Sequence, residues 1–126
     1  DSGVKISLII RGICCLYPQR KNLSENIKVI SIIGHFLEHS RIFWFCNNGD
    51  NEVFIGSADW MRRNLDRRIE AVTPIDDSEL KSQLSALLQT YIKDDYFSWI
   101  MKEDGSYTKY ALDSANNRSQ IDLIEQ

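Results

Sequence analysis

The stretch from Glu38 to Glu70 concentrates side chains that can handle phosphate. His39 is followed two residues later by Arg41, and a Gly56-Ser57 pair comes after an Asn-Gly turn. An imidazole donates or accepts a proton near neutral pH, and a guanidinium neutralises phosphoryl oxygens. We predict a phosphate site here, with the backbone amides of Gly56 and Ser57 adding hydrogen bonds to the anion. Its supporting side chains are expected to be Arg41, Ser57, Asp59, Asn64, Arg67 and Arg68.

Arg11 is a second candidate because of its place along the chain. It follows Val4–Ile10, a mostly apolar, β-rich run of the kind buried in an α/β sheet. Ligands of such sheets collect at the carboxyl ends of the strands. Arg11 is therefore predicted to meet an anion, although an arginine that only caps the strand and pairs with an acid fits the same pattern.

The histidines and cysteines do not predict a metal site. His35 and His39 are four residues apart, but two ligands without a nearby third make a poor zinc site. Cys14, Cys15 and Cys46 show no Cys-x-x-Cys spacing and are expected to be free thiols of a reducing compartment. We interpret His35 as a surface residue or as one that supports the site from behind its contacting side chains.

Composition is that of one ordinary globular domain. The 126 residues are 43% hydrophobic and 26% charged, which excludes disordered and fibrous classes. The chain lacks an apolar run of the ~18 residues that a membrane span needs, and it begins without a signal-peptide pattern, so a cytoplasmic location is expected. Residues 1–74 carry ten Lys/Arg against eight Asp/Glu, and residues 75–126 carry five against ten. The arginine-rich first part suits either a polyanion or a solvated surface.

Hydrophobic patterning predicts an α/β domain in which a mixed sheet is flanked by helices. Asn47–Asp50 separates two apolar runs and predicts a hairpin, while Pro74 is expected to stop the strand before it. The predicted strands are Val4–Ile10, Ile27–Ile33, Arg41–Cys46, Glu52–Ile55, Arg67–Val72 and Tyr107–Tyr110.

One helix is predicted clearly. Asp76 and Glu79 resemble a capping box at its start, and a short terminal helix is expected from Ser119. The apolar positions of the long helix recur on one face, at Leu80, Leu84, Leu87, Leu88 and Tyr91.

Several side chains are assigned to packing or to positioning. Trp44 and Phe45 are expected in the core, and Trp60 is expected to pack against the sheet and not to stack on a base. Asp59 and Asp66 are expected to orient Arg67 or Arg68. The chain begins without Met, at an Asp1-Ser2-Gly3 turn, which predicts a single-domain fragment of a longer protein.

One pattern in this stretch resembles half of a phospholipase D site, which has His-x-Lys, Gly-Ser and Asn. The corresponding residues here are His39-x-Arg41, Gly56-Ser57 and Asn64. The match is partial. Arginine stands at the lysine position, and an Asp at the usual short spacing after His39 is missing.

A broader resemblance covers nearly the whole chain. Six blocks occur in this order in polyphosphate kinases: Gly3–Ile6, Arg11–Cys15, Leu23–Ile27, Phe36–Arg41, Ser57–Met61 and Asn64–Glu70. The chain resembles the second of the two phospholipase D-like domains in the C-terminal half of that family, which would make residues 1–126 one domain. His35 departs from the family, which usually has arginine there.

The resemblance implies a reversible transfer of the terminal phosphate of ATP to inorganic polyphosphate through a phosphohistidine outside this fragment. Arg11 and His39 would contact ATP phosphates, and His39 would also donate or accept a proton. The Mg²⁺ ligands would lie elsewhere. The implied partners are ATP or ADP, polyphosphate, the remaining domains and, in the full-length enzyme, further copies, with neither nucleic acid nor a membrane span. The fragment alone is expected to be inactive.

Two alternatives stay open at this point. The chain would be a phosphodiesterase half-site completed by a second such domain, or a non-catalytic module whose arginines hold polyanions.

Overall fold

A computed structural model describes residues 3–110 and 116–125 of the chain. They divide into two compact units, the first formed by Asp1–Leu37 and Gln89–Gln126 and the second by Glu38–Leu88. The predicted turn at Asp1 and Ser2 lies outside the described residues. The strands are β1 (Ile6–Ile9), β2 (Ile27–Ile32), β3 (Ile42–Phe45), β4 (Glu52–Gly56), β5 (Val72–Pro74), β6 (Ser98–Met101) and β7 (Tyr107–Lys109), and the α-helices are α1 (Arg62–Arg67), α2 (Ser78–Lys93) and α3 (Ser119–Asp122).

The first unit contains a four-stranded mixed sheet in the order β1-β2-β6-β7. β1 and β2 are parallel, with Ile6 opposite Ile27, whereas β2–β6 and β6–β7 are antiparallel. The α/β class is confirmed. The single predicted sheet is corrected to two, because β3, β4 and β5 form a separate antiparallel sheet in the second unit.

The buried strand of the first unit is β2, where Val29 and Ile32 are 1% and 3% exposed. The apolar run at Val4–Ile10 was expected to be buried, and this is wrong. β1 has a single strand neighbour and is an edge strand, so Val4 and Ile6 stay exposed. An apolar run alone does not distinguish a central strand from an edge strand.

A buried carboxylate joins two parts of the first unit. Asp94 follows α2 and is 3% exposed. Its Oδ1 accepts hydrogen bonds from the amides of Tyr96 and Phe97 at 3.2 and 2.7 Å. Its Oδ2 accepts from the amide and the hydroxyl of Ser119 at 2.8 and 2.5 Å. These bonds tie the start of α3, which was predicted at Ser119, to the turn that leads into β6.

A close backbone approach in the same unit requires glycine at position 34. The buried Gln120 accepts a hydrogen bond from the amide of Phe36 at 3.0 Å and donates to its carbonyl at 2.7 Å. A Cβ on Gly34 would stand only 2.2 Å from Gln120 Oε1. The absence of a side chain at Gly34 therefore admits the Gln120 amide.

The second unit confirms the predicted hairpin. β3 and β4 are antiparallel, with Phe45 opposite Glu52. Asn47, Asn48 and Gly49 between them all have positive φ, a conformation that Asn and Gly tolerate best. The prediction that Trp44 and Phe45 are core residues is wrong, since they are 38% and 47% exposed on an edge strand.

The prediction of a strand at Arg67–Val72 is also wrong. Residues Arg62–Arg67 form α1, and the strand is Val72–Pro74. Alternating charged and apolar residues suggested a half-buried strand, but Ile69 is fully exposed and faces no core. The strand does stop at Pro74, which is the last residue of β5 and is tolerated there because β5 is an edge strand of the described sheet.

Helix α2 is confirmed, with a different cap. The amide of Leu80 donates to Asp77 Oδ1 at 2.9 Å, so Asp77 caps the helix, and not Asp76 as predicted. Tyr91 is buried, but Leu80 is half exposed, so the predicted core face holds only in part.

β7 confirms the strand near Tyr107, whereas β6 was not predicted. None of the described helices is long and apolar enough to cross a membrane.

Candidate functional site

In the second unit, the guanidinium of Arg41 links two candidate residues. Arg41 immediately precedes β3, and Asp59 lies in the loop after β4. Arg41 Nε donates to Asp59 Oδ1 at 2.9 Å, and its Nη1 donates to the backbone carbonyl of His39 at 2.7 Å. Because both bonds come from one rigid fork, the position of the His39 backbone is coupled to that of the Asp59 loop. The His39 side chain is left exposed.

The charges in this cluster reinforce one another. The hydrogen bond from Arg41 lowers the pKa of Asp59 below its usual range, and the charges of Arg41, His39 and Arg63 act in the same direction. The hydrogen bond to Asp59 raises the pKa of Arg41, with a further contribution from Glu70. Asp59 is therefore ionised and Arg41 cationic throughout the neutral range.

Ser57 and Glu70 form a second pair in this unit. Ser57 Oγ donates to Glu70 Oε2 at 2.5 Å and accepts from the amide of Ala71 at 3.0 Å. The prediction that the amides of Gly56 and Ser57 face an anion is wrong. They donate instead to the carbonyls of Arg41 and Ala71 at 2.9 and 3.0 Å, because this segment continues the sheet ladder.

The predicted partners of Asp59 and Asp66 are corrected. Asp59 pairs with Arg41, as described above, and Asp66 pairs with Arg62 at 3.0 Å across one helical turn. Neither carboxylate orients Arg67 or Arg68. These two guanidiniums are exposed and form no ion pair with any residue of 3–110 or 116–125. They remain available to a polyanion.

Asn64 is a buried residue of the second unit. It is 3% exposed, and its Nδ2 donates to the carbonyl of Asp59 at 3.3 Å. Its Oδ1 is buried and has no hydrogen-bond partner among the described residues. Asn64 therefore supports the Asp59 loop from beneath. Trp60 stacks on Phe43 of β3 with ring centroids 5.2 Å apart but is 72% exposed, so the predicted packing against the sheet holds only in part.

In the first unit, Arg11 lines a cleft at the carboxyl ends of the parallel strands β1 and β2. Arg11 is exposed and makes no ion pair within the described chain. The alternative interpretation, in which Arg11 only caps the strand and pairs with an acid, therefore has no acidic partner among these residues. The cleft has a volume of about 270 Å³. Its walls are Arg11, Gly12, Ser31, Ile33, Trp99 and Tyr107.

Sequence reasoning placed Arg11 correctly at a strand end but missed Ser31, Trp99 and Tyr107. Trp99 and Tyr107 reach the cleft because β6 and β7 continue the sheet beyond β2. The apolar run around Trp99 is the signal that could have predicted β6.

The described residues do not form a metal centre. Among them there is no group of three or more His, Cys, Asp or Glu side chains arranged to hold an ion. Asp59 is bonded to Arg41 and Glu70 to Ser57, whereas Mg²⁺ is usually bound through one or two carboxylates together with waters and phosphates. Cys14, Cys15 and Cys46 are free, as predicted.

Comparisons with known proteins define the class to which this fold belongs. A family model described as polyphosphate kinase C-terminal domain 2 matches residues 1–120. The crystal structure of polyphosphate kinase from Porphyromonas gingivalis superimposes with a TM-score of 0.91 at 38% identity, covering 98% of this chain and 19% of that chain.

Curated relatives agree. The polyphosphate kinase of Parasynechococcus marenigrum is 55% identical over 99% of this chain and 18% of its own length. That of Prochlorococcus marinus is 58% identical over 97% of this chain and 17% of its own length. The chain therefore belongs to the polyphosphate kinase family and corresponds to its C-terminal domain 2. It spans less than a fifth of the length of these two relatives.

Proposed function

We propose that this chain is the phosphate-contacting C-terminal part of an enzyme that reversibly transfers the terminal phosphate of ATP to inorganic polyphosphate. Family membership supports the reaction, and the residues described above support a phosphate-binding role. The observation that carries the proposal is the Arg41 guanidinium, which holds both the His39 carbonyl and the Asp59 carboxylate.

Each candidate residue has a role in this reaction. The bond between the β,γ-bridging oxygen and the γ-phosphorus of ATP breaks, and the phosphoryl group passes through a phosphohistidine outside this chain to a terminal oxygen of polyphosphate. Arg11 neutralises charge on phosphoryl oxygens. His39 contacts the phosphates and supplies or takes up the proton that the leaving or entering oxygen exchanges.

The remaining candidates support these two. Arg41 and Asp59 position the His39 backbone, Asn64 holds the Asp59 loop, and Ser57 joins that loop to Glu70. Arg67 and Arg68 attract the polyanion as exposed cations. Mg²⁺ does not fit the described residues, so we assign its ligands, like the phosphohistidine, to other domains of the same protein.

The test compares ATP-dependent polyphosphate synthesis by the full-length protein with that of its Arg11→Ala and His39→Ala variants. We expect each variant to lose at least about 100-fold in turnover. Arg20→Ala is the matched control for Arg11, because Arg20 is also an exposed arginine of the first unit, and its guanidinium lies 6.0 Å from the centroid of the Tyr17 ring. Wild-type turnover in both site variants would refute the proposal.

The same experiment separates the binding-only alternative. If His39→Ala kept full turnover while polyphosphate affinity fell, the chain would be a polyanion-holding module. If it abolished turnover at unchanged polyphosphate affinity, that alternative would be rejected.

A further inference from the structure

Residues 11–17, which we call the connecting segment, carry Arg11 over one face of the four-stranded sheet. Ser31 on β2 lies opposite Trp99 on β6, and Tyr107 on β7 lies opposite the residue two positions beyond Trp99. Directly opposed residues, and residues two apart on one strand, share a face of the sheet. Since Arg11 lines a cleft together with these three side chains, the connecting segment leaves β1 over that face.

The connecting segment ends at the turn that joins β6 to β7. A Cβ on Gly105 in this turn would stand 3.1 Å from Tyr17 Cε1 and 3.7 Å from Tyr17 Cδ1, so the Tyr17 ring lies against the bare Cα of Gly105. Because β2 lies between β1 and β6 in the sheet, the segment crosses from one edge strand to this turn. Arg11 and Tyr17 are therefore the two ends of one stretch of chain across the sheet.

Between its ends the connecting segment is weakly held. The amides of residues 11–17 make no backbone hydrogen bond within the described chain, and Ile13 is 84% exposed. The Cys14 thiol makes a weak hydrogen bond to the carbonyl of Leu16 at 3.9 Å, inside the segment itself. Chain with few bonds to its surroundings opens locally at a low free-energy cost. The position of Arg11 therefore depends on how the two ends of the segment are fixed.

The backbone at Tyr17 is fixed by the loop that follows it. Pro18 is fully buried, and Ser24 is 6% exposed. The Ser24 hydroxyl donates to the carbonyl of Tyr17 and accepts from the amide of Arg20 at 3.1 Å. The amide of Gln19 donates to the carbonyl of Ser24 at 2.9 Å. The loop thus holds the Tyr17 backbone, and the Tyr17 ring makes the contact with the β6–β7 turn.

The turn that receives the ring is equally well defined. Gly105 has a φ of +84°, which residues with a side chain rarely adopt. Asp104 Oδ1 accepts from the amide and the hydroxyl of Ser106 at 2.9 and 2.6 Å. The Arg20 guanidinium is 6.0 Å from the ring centroid, at the outer limit of a cation–π contact. Packing on Gly105, and not Arg20, therefore fixes the Tyr17 ring.

We propose that Tyr17 is a positioning residue for Arg11, because its ring, packed on Gly105, fixes the far end of the connecting segment and so sets where the Arg11 guanidinium stands. This inference rests on the proposed function for what Arg11 does, but not for how Arg11 is held. Tyr17 touches no substrate in this scheme. Its effect on turnover should therefore exist only while Arg11 is present.

The test is a double-mutant cycle in the full-length protein with Tyr17→Ala, Arg11→Ala and the double variant, in which kcat and the KM for ATP are measured. We expect Tyr17→Ala alone to lower kcat by about 10-fold, as for a misplaced catalytic group. In the Arg11→Ala background the same change should lower kcat by less than about 2-fold, because residues that act through one another are not additive. Equal fold losses in the two backgrounds would overturn the positioning role.

Tryptic cleavage after Arg11 measures the release of the segment without reference to activity. The full-length protein is digested under native conditions, and the cut is followed by mass spectrometry. Tyr17→Ala should be cleaved at this bond about 10-fold faster than the wild type, since proteolysis proceeds from locally opened conformations. An unchanged rate of cleavage would overturn the proposal even if kcat fell.

Gly105→Ala tests the same contact from its other side, and it serves if Tyr17→Ala fails to fold. The new Cβ would stand 3.1 Å from Tyr17 Cε1, so the ring must shift, and we expect the same Arg11-dependent loss of kcat. Gly3→Ala is the matched control. Gly3 also has a positive φ, of +71°, but a Cβ there meets no atom within 4 Å, so Gly3→Ala should keep the wild-type kcat.

Two further variants separate the ring from other causes. Tyr17→Phe keeps the ring and removes only a hydroxyl that has no hydrogen-bond partner within the described chain, so it should keep the wild-type kcat. Leu23→Ala shortens a side chain of the same loop that is 75% exposed and should also leave kcat unchanged. A loss in Tyr17→Phe as large as that in Tyr17→Ala would overturn the role of the ring.

Failure of this inference differs from failure of the proposed function. Unchanged kcat in both Tyr17→Ala and Gly105→Ala, with Arg11→Ala still impaired, would overturn the positioning role and leave the proposed function standing. Wild-type kcat in both Arg11→Ala and His39→Ala would remove the proposed function itself, and the role of Tyr17 with it.

Discussion

Arg41 and Asp59 form an ion pair of 2.9 Å that joins the residue before β3 to the loop after β4. The Arg41 side chain is about a quarter exposed and that of Asp59 about half exposed, so the pair contributes little to stability. Its consequence is geometric, because the same guanidinium bonds the carbonyl of His39 at 2.7 Å. The pair is thus better placed to position His39 than to hold the fold.

The first prediction follows from that geometry. Replacing Arg41 with Lys keeps the charge but removes the planar fork that bonds His39 and Asp59 together. We expect the kcat of the full-length enzyme to fall by about 10-fold, as for a misplaced catalytic group, at nearly unchanged melting temperature. Arg62→Lys is the control, since Arg62 also pairs with an aspartate, Asp66, but is 95% exposed. Equal losses in the two variants would contradict a positioning role for Arg41.

The second prediction concerns pH. The hydrogen bond from Arg41 lowers the pKa of Asp59 in the folded state. The contribution of the pair is therefore present above the unfolded aspartate pKa of about 3.9 and is lost as the pH falls through the lower, folded value. The pair should be intact at every pH above about 4.

Carbon-detected NMR of the Asp59 carboxyl during an acid titration measures this shift. In the wild type the midpoint should lie below the ordinary aspartate value of about 3.9, and in Arg41→Ala it should return toward that value. A midpoint unaffected by Arg41→Ala would show that another group stabilises the ionised carboxylate.

The third prediction concerns the buried carboxylate of Asp94. Asp94→Ala removes the acceptor of four hydrogen bonds and leaves the amides of Phe97 and Ser119 and the Ser119 hydroxyl without a partner. We expect a loss of about 2–4 kcal/mol in local stability, because an unsatisfied buried donor costs about 1–3 kcal/mol.

Hydrogen exchange at the Phe97 and Ser119 amides measures this loss directly, as a protection factor reduced by roughly 30- to 1000-fold. Asp95→Ala is the control. Within residues 3–110 and 116–125, the Asp95 carboxylate bonds only Asn117, at 2.8 and 2.9 Å near the surface, and its loss should have a smaller effect. Comparable protection in Asp94→Ala and wild type would refute this account of the turn.

Local signals in the sequence predicted those parts of the fold that local physics decides. The Asn-Gly hairpin depends on backbone conformations that Asn48 and Gly49 adopt at little cost, and helix α2 depends on a periodic apolar face. Burial was harder to predict, because it depends on which strands become neighbours. Trp44 and the β1 run are as apolar as core residues, yet both lie on edge strands.

In the candidate site, too, local signals predicted the residue types, whereas their contacts depend on which strands become neighbours. The types and spacing of His39, Arg41 and Asp59 indicated a phosphate-handling cluster, but the pairing of Arg41 with Asp59 required the β3–β4 hairpin to bring them together. Ser31 and Tyr107 are 76 positions apart in the chain, and only the strand order β2-β6-β7 places them on one face. No local pattern carries that information.

The fourth prediction concerns Gly34. A Cβ at this position would lie 2.2 Å from Gln120 Oε1 and 3.2 Å from the Phe97 ring. Because Gln120 is 2% exposed and bonded to both backbone groups of Phe36, its amide cannot move away without losing those bonds. Gly34→Ala should therefore destabilise the first unit by about 1–3 kcal/mol, in the range of overpacked cores.

Thermal unfolding of the full-length protein and hydrogen exchange at the Phe36 amide measure the effect of Gly34→Ala. Gly12→Ala is the matched control, since a Cβ there meets no atom within 4 Å, and it should leave the melting temperature unchanged. Shortening the Gln120 side chain distinguishes a clash with Gln120 from a cost in the backbone at Gly34. If the clash with Gln120 is the cause, Gly34→Ala combined with Gln120→Ala should be no less stable than Gln120→Ala alone, because the space is already open. Additive losses would instead place the cost in the backbone at Gly34.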